Sequence, residues 1–337
     1  MTSLGVLGAG SWGTALAIHT ASADLSVTLW ARDEELATEI QRTRKNEKYL
    51  PEAELPPEIR VTSDLEVLAE LDKVLVVVPS HGFRDVIKRL IGLRAAGRPL
   101  TIVSATKGIE TETLSRMSEV VAEEATRAGE AVQFAVLSGP TFAAELAIGQ
   151  PSAAVIASSD NALASELSHS LSTHRFRVYS SDDVVGVELG GATKNVIAIG
   201  AGIVTGLGMG HNTLAALITR GLHEISRLGL ACGGNLRTLS GLAGLGDLVL
   251  TCTGGLSRNR RTGMALAEGK SLSEIQSETS MVAEGIRNSL SVTRLARRHD
   301  IEMPITEQMM AVLYEDQSPT DAVQELMTRA LKSESAL

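Results

Sequence analysis

Lys194 lies in the run Gly186-Val187-Glu188-Leu189-Gly190-Gly191-Ala192-Thr193-Lys194-Asn195, which continues as Val196-Ile197-Ala198-Ile199-Gly200-Ala201. On a helix its neighbours are Gly190 and Gly191 one turn before, and Ala198 and Ala201 after. A lysine on such a small-residue face can exchange a proton with something lying against it. The same pattern suits close helix–helix packing with the ammonium extended past the contact. The segment alone leaves both readings open. Near the start of the chain, Gly8-Ala9-Gly10-Ser11-Trp12-Gly13 has G-x-G-x-x-G spacing, which lets a backbone approach a diphosphate at a helix N-terminus. A third candidate is Lys107 in Ala105-Thr106-Lys107-Gly108-Ile109-Glu110, just past an apolar run. It is expected to face a crevice, against the alternative of a solvated loop lysine. His81, in Pro79-Ser80-His81, reads equally as a helix-start residue.

These residues need elements to hold them. Ser3–Leu7 and Ser26–Trp30 read as strands, with a helix over Thr14–Ala23 between them. Lys73–Val78 is a continuous apolar run ending at Pro79, as expected of an interior parallel strand covered on both faces. Leu100–Ser104, Gln133–Leu137 and Ala153–Ala157 are further strand candidates, with helices over His81–Leu93 and Glu112–Ala128. Such alternation predicts a doubly wound α/β domain of the Rossmann type over residues 1–183. Beyond Asp183 strand signals fade, and helical segments follow at Val187–Val204, Thr213–Gly229, Arg261–Glu268, Val282–His299 and Thr306–Tyr314. Residues 184–337 are therefore expected to form an all-α domain.

The glycine fingerprint directly follows a strand and opens a helix at the head of this alternating domain, so it predicts a dinucleotide site. At the end of the second strand comes Ala31-Arg32-Asp33. An acidic residue there favours the free ribose hydroxyls of NAD, and an arginine accommodates the 2′-phosphate of NADP. Arg32 tilts the expectation towards NADP(H), and Asp33 leaves NAD(H) open.

Composition excludes several other classes. A 337-residue chain with 44% hydrophobic and 21% charged residues can bury a sizeable core and should be soluble. Its net charge of −9, without a long basic run, and its 3% aromatic content argue against nucleic acid or a membrane surface as partner. Cys232 and Cys252 have no partner motif and read as small hydrophobes in a reducing compartment. No histidine pair has metal-ligand spacing, so no metal is expected. The apolar N-terminal run lacks basic residues and is broken by glycines, unlike a signal peptide. No uninterrupted apolar stretch is long enough for a membrane span. A cytoplasmic location is expected. The alanine-rich helical half could supply a homodimer interface.

The chain also resembles bacterial-type NAD(P)-dependent glycerol-3-phosphate dehydrogenase along nearly its whole length. The fingerprint, extended through Thr14-Ala15-Leu16-Ala17, carries part of the resemblance. So do Asn46-Glu47-Lys48-Tyr49-Leu50-Pro51, Thr106-Lys107-Gly108-Ile109 and Leu137-Ser138-Gly139-Pro140-Thr141-Phe142-Ala143. Gly191-Ala192-Thr193-Lys194-Asn195, Gly241-Leu242-Ala243-Gly244-Leu245-Gly246-Asp247-Leu248 and Ser257-Arg258-Asn259-Arg260-Arg261 complete it. The resemblance implies dinucleotide contacts from Gly8, Gly10, Ser11, Trp12, Gly13, Arg32, Tyr49, Lys107, Ala143, Arg258, Val282 and Glu284. It implies substrate contacts from Lys107, Gly139, Thr141, Lys194, Asp247, Ser257, Arg258 and Asn259. It makes Lys194 the catalytic proton acceptor, with Lys107 and Asp247 beside it. The implied substrates are dihydroxyacetone phosphate and sn-glycerol 3-phosphate, the latter feeding glycerophospholipid synthesis. The main departure lies in the cofactor-discriminating region, where Ala31-Arg32 is not an invariant family signature.

That chemistry needs a group to take the hydroxyl proton while hydride leaves the same carbon, or to donate to the carbonyl in reverse. A lysine with an ordinary pKa of about 10.4 is the natural acid for ketone reduction. Burial or a nearby cation such as Lys107 would lower it and favour alcohol oxidation. Asp247, if paired with Lys194, opposes that shift and is expected to orient the lysine. Ser257 reads as the N-cap of a helix running to Ala267, which would gather a helix N-terminus, a guanidinium and an amide where a phosphate could bind. A solvated basic turn is the alternative, preferred for Arg260 and Arg261. For Arg258 and Asn259 the resemblance favours binding. Competing readings are another two-domain hydroxyacid or 6-phosphogluconate-type dehydrogenase, and a dinucleotide sensor without turnover. In the favoured reading, the glycines and alanines around Lys194 form the floor of a substrate slot.

Overall fold

The computed structural model describes residues 3–23, 25–278, 283–331 and 333–334. The chain divides into two compact units. The first comprises Met1–Thr106 and Ser115–Val184, and the second Lys107–Leu114 and Val185–Leu337.

In the first unit the strands are β1 (Ser3–Leu7), β2 (Ser26–Trp30), β3 (Lys45–Asn46), β4 (Leu50–Glu54), β5 (Arg60–Thr62), β6 (Lys73–Val76), β7 (Leu100–Ser104), β8 (Val132–Ser138), β9 (Ser152–Ala157) and β10 (Phe176–Ser181). The main sheet runs β10-β9-β8-β7-β6-β1-β2-β5, while β3 and β4 pair separately. Side chains alternate across the interior strands. Leu75 and Val103 join one core cluster, while Val74, Val76 and Ile102 join the other. Both faces are covered, which is why these strands read as unbroken apolar runs. The order reverses beside β1, and its fingerprint turn lies at the carboxyl edge where such sheets bind ligands.

Several sequence expectations need correction. The sheet is mixed, because β8 and β9 are antiparallel. Their connection carries only the short helix Ala143–Ala147, and an antiparallel return needs no long crossover. The helix expected over Glu112–Ala128 begins at Met117, since Leu114 takes the left-handed conformation (φ 64°) that a helix cannot accommodate. The first helix starts earlier than expected, at Ser11, directly after Gly10. Lys73–Val78 is extended only to Val76. The short strands β3 to β5 and β10 were not foreseen.

The second unit is helical among its described residues. The helix Val184–Gly206 is buried almost throughout, with His211–Ala231, Arg258–Ala267, Glu284–Arg298 and Pro304–Tyr314 among the helices of its unit. It has the length and apolarity of a membrane span, yet it is enclosed by protein. Its small residues allow backbone contact. Gly202 and Gly263 face each other, and a Cβ on Gly202 would stand 2.0 Å from the Arg260 carbonyl oxygen. Cys252 is buried in the same core, and burial pushes its thiol up to about 12.

Candidate active site

The fingerprint turn shows why each glycine stands where it does. Gly8 has φ +122°, and a Cβ there would lie 2.3 Å from the Val77 carbonyl oxygen. A Cβ on Gly13 would lie 1.8 Å from the Gly8 carbonyl oxygen, so the turn closes on itself. Gly10 differs, because a Cβ would meet nothing within 4 Å. It precedes the helix Ser11–Ala21, whose N-terminus has no side-chain cap. Open space beside uncapped N–H groups fits a dinucleotide diphosphate. Buried Asn46 braces the turn, donating from Nδ2 to the Ala9 carbonyl at 2.9 Å and to Thr14 Oγ1 at 2.8 Å. Asn46 belongs to a motif of the resemblance, but its role was not legible in the sequence.

The other expected contacts of this unit occupy loops and helix starts. Ser11 and Trp12 open the first helix, half-buried. Arg32 is exposed just after β2, and Asp33 caps the next helix by accepting from Glu35 N at 3.1 Å and Leu36 N at 3.2 Å. Tyr49 is half-buried between β3 and β4. Gly139, Thr141 and Ala143 follow β8, with Gly139 at φ +154° against the Ala154 backbone. His81 is exposed in the turn Ser80–Gly82, as a helix-start residue would be.

In the second unit, Lys194 and Lys107 share one carboxylate. Lys107 Nζ donates to Asp247 Oδ2 at 2.6 Å, Lys194 Nζ donates to Asp247 Oδ1, and Lys194 Nζ also donates to Thr251 Oγ1 at 2.9 Å. Lys194 is 5% and Asp247 1% exposed, so water screens little of this cluster. Local packing creates it. A Cβ on Gly190 would stand 2.7 Å from the Ala243 carbonyl oxygen. That glycine lets the π-helical turn Leu242–Gly246 rest on the Lys194 helix, and Asp247 follows immediately. The small face of the lysine helix is thus partly a packing face. Gly190 abuts the Ala243–Gly244 backbone, and Ala198 and Ala201 lie in the core. This revises the expectation of an open slot floored by those residues.

Two ammonium groups against one carboxylate leave a surplus positive charge in a buried place. Burial is the main force on Lys194 and brings its ammonium down to about 7; Asp247 opposes the shift and Lys107 assists it. Releasing the Lys194 proton leaves a balanced Lys107–Asp247 pair, so either protonation state is accessible near neutrality. Thr251 lies one turn beyond Asp247, donating to the Asp247 carbonyl at 2.6 Å. Its i+4 spacing from Asp247 is the sequence signal that places it on the same helix face.

Ser257 caps the helix Arg258–Ala267 by accepting from Arg260 N at 3.2 Å. Arg258 is half-buried; burial lowers its pKa, with the Glu284 carboxylate acting in the opposite sense. Asn259 is buried with both ends of its amide engaged. It donates to Asn195 Oδ1 at 2.9 Å and accepts from Gly285 N at 2.9 Å. Val282 lies outside the described residues. Among the described residues no group of three or more His, Cys, Asp and Glu side chains could hold a metal ion.

An α/β unit opening on a dinucleotide fingerprint and a helical unit carrying a buried lysine that can exchange a proton near neutrality together fit a two-domain, dinucleotide-dependent dehydrogenase. Residues 3–164 match the family described as NAD-dependent glycerol-3-phosphate dehydrogenase N-terminus, and residues 183–324 match its C-terminus. The chain belongs to the NAD(P)-dependent glycerol-3-phosphate dehydrogenase family. It is 50% identical to glycerol-3-phosphate dehydrogenase [NAD(P)+] of Koribacter versatilis (strain Ellin345), over 99% of each chain. It is 52% identical to that of Geobacter sulfurreducens (strain ATCC 51573 / DSM 12127 / PCA), over 98% of each. The crystal structure of glycerol-3-phosphate dehydrogenase from Coxiella burnetii superposes with a TM-score of 0.92 at 44% identity, covering 97% of this chain and 99% of that one.

Proposed function

We propose that this chain interconverts dihydroxyacetone phosphate and sn-glycerol 3-phosphate, with Lys194 as the proton-transfer group. The observation that carries the assignment is the buried Lys107–Asp247–Lys194 cluster, which holds the Lys194 proton near neutrality. In reduction the Lys194 ammonium donates to the substrate carbonyl oxygen; in oxidation the neutral amine takes the hydroxyl proton. The nicotinamide, when bound, gives or takes the hydride. Asp247 orients Lys194 and keeps its ammonium available. Lys107 opposes excessive stabilisation of that ammonium and offers a cation to the oxygen that gains charge during reduction. Ser257 and Arg258, at the start of the helix Arg258–Ala267, supply donors for the substrate phosphate, and Asn259, whose side-chain amide is engaged by Asn195 and Gly285, contributes its backbone N–H there.

Gly8, Gly10, Ser11, Trp12 and Gly13 hold the dinucleotide diphosphate, supported by the open space at Gly10. Arg32, Tyr49 and Ala143 are the further dinucleotide contacts of the first unit. A preference for NADP(H) is favoured, because Arg32 is exposed while the Asp33 carboxylate is committed to capping a helix. A cytoplasmic, homodimeric enzyme supplying glycerophospholipid synthesis fits this reading. The decisive assay is NADPH consumption on adding dihydroxyacetone phosphate. Turnover is expected with NADPH and more weakly with NADH. Its absence with both would overturn the assignment.

A further inference from the structure

Asn288 is fully buried in the helix Glu284–Arg298, and its amide is used in one direction only. Nδ2 donates to the Lys107 carbonyl at 3.2 Å and to the Ala192 carbonyl at 3.0 Å. Oδ1 is buried and has no hydrogen-bond partner among the described residues. The orientation follows from chemistry, since the flipped amide would set Oδ1 against two carbonyl oxygens. The two acceptors belong to the peptides carrying the active-site cations. One is Lys107 itself, and the other lies two residues before Lys194. Asp247 joins those lysines at their ammonium tips. Asn288 joins the same two stretches at their backbones, so the lysines are braced at both ends.

We propose that Asn288 is a positioning residue for this dehydrogenase, holding the Lys107 backbone at a set distance from the Lys194 helix. The proposal rests on the assignment of Lys194 and Lys107 as active-site groups. Other contacts hold the remainder of the Lys107–Leu114 segment: Ile109 is buried in the helical core, and Arg298 donates to the Thr113 carbonyl at 3.3 Å. Asn288 acts at the Lys107 end. A residue serving only to pack would not leave a buried amide oxygen unsatisfied, because an apolar side chain of similar volume avoids that penalty. What leucine cannot supply is a pair of N–H donors aimed at two different segments.

The test compares wild type with Asn288→Leu, which keeps the volume and removes both donors. Asn288→Asp serves as a second variant of the same shape, offering one donor at most. Amide hydrogen exchange over residues 107–114 is expected to quicken in either variant. The kcat for dihydroxyacetone phosphate reduction should fall about ten-fold or more, as small misplacements of catalytic groups do, a larger factor than any change in KM for NADPH. Unaltered exchange in that segment, or unaltered kcat, in a folded variant overturns the proposal. If leucine prevents folding, the aspartate variant decides by the same two readouts. Absence of turnover in wild type instead counts against the dehydrogenase assignment, and the exchange measurement still decides whether Asn288 holds the segment.

Discussion

Replacing Lys107 with glutamine tests the electrostatics of the site through Lys194. In the wild type, burial lowers the Lys194 pKa from 10.5 to about 7. That displacement is worth about 5 kcal/mol at 1.36 kcal/mol per pH unit. At pH 8 it leaves about 90% of the lysine as free amine, against about 0.3% at its ordinary value, a gain of roughly 300-fold in available base. Glutamine can still donate to Asp247 but carries no charge. With the two ammonium nitrogens bonded to opposite oxygens of one carboxylate, a separation of about 5 Å and an effective dielectric of about 20 give roughly 3 kcal/mol of repulsion. Residual solvent at partly exposed Lys107 reduces this, so the Lys194 pKa should rise by about one to two pH units. Glycerol 3-phosphate oxidation at pH 8 should then drop about two- to ten-fold from this effect alone. The assay is the pH profile of kcat with C2-deuterated substrate, whose isotope effect shows that hydride transfer limits the rate. A limb that stays near pH 7, or moves lower, would refute the electrostatic reasoning.

Other expectations follow from single contacts. Lys194→Met should lose about 10³-fold or more in turnover while titration calorimetry still detects cofactor binding. Arg258→Ala should raise KM for dihydroxyacetone phosphate and make unphosphorylated dihydroxyacetone relatively more competitive; an unchanged ratio between them would remove Arg258 from phosphate binding. Gly10 has φ −73° and ψ 178°, which any residue adopts, so Gly10→Ala should keep the melting temperature and raise KM for the dinucleotide about ten-fold. Gly13→Ala should also destabilise the protein, because its Cβ would collide with the Gly8 carbonyl. Buried Glu224 accepts from Ile305 N at 2.6 Å and Thr306 N at 3.1 Å, and burial raises its pKa from 4.5 to about 7. The folded state therefore holds the proton more tightly than the unfolded chain. The associated stability is present below pH 4.5 and is lost as pH rises through about 7, at most about 3 kcal/mol. Urea titrations of wild type and Glu224→Gln at pH 5 and 7.5 should show that slope in the wild type only.

Sequence and structure divide the account of this protein along physical lines. Periodicity and glycine spacing depend on near neighbours, so β1, β2 and β7 and the long buried helix were legible in the residues themselves. The fingerprint was legible because its chemistry is local: Gly8, Gly10 and Gly13 act on each other and on the adjacent helix start. The antiparallel turn from β8 to β9 was not, since strand direction depends on a pairing the strand sequences do not encode. At Lys194 the residues posed a choice between packing and chemistry. In the tertiary structure Gly190 packs against the turn before Asp247, and that packing brings the carboxylate to the lysine. Asp247 and Asn288 stand far from Lys107 and Lys194 along the chain, and such contacts leave no periodic trace. The sequence determined that a dinucleotide fingerprint and a candidate proton-transfer lysine were present. Only the folded chain decided which partners surround that lysine, because burial and charge act through space.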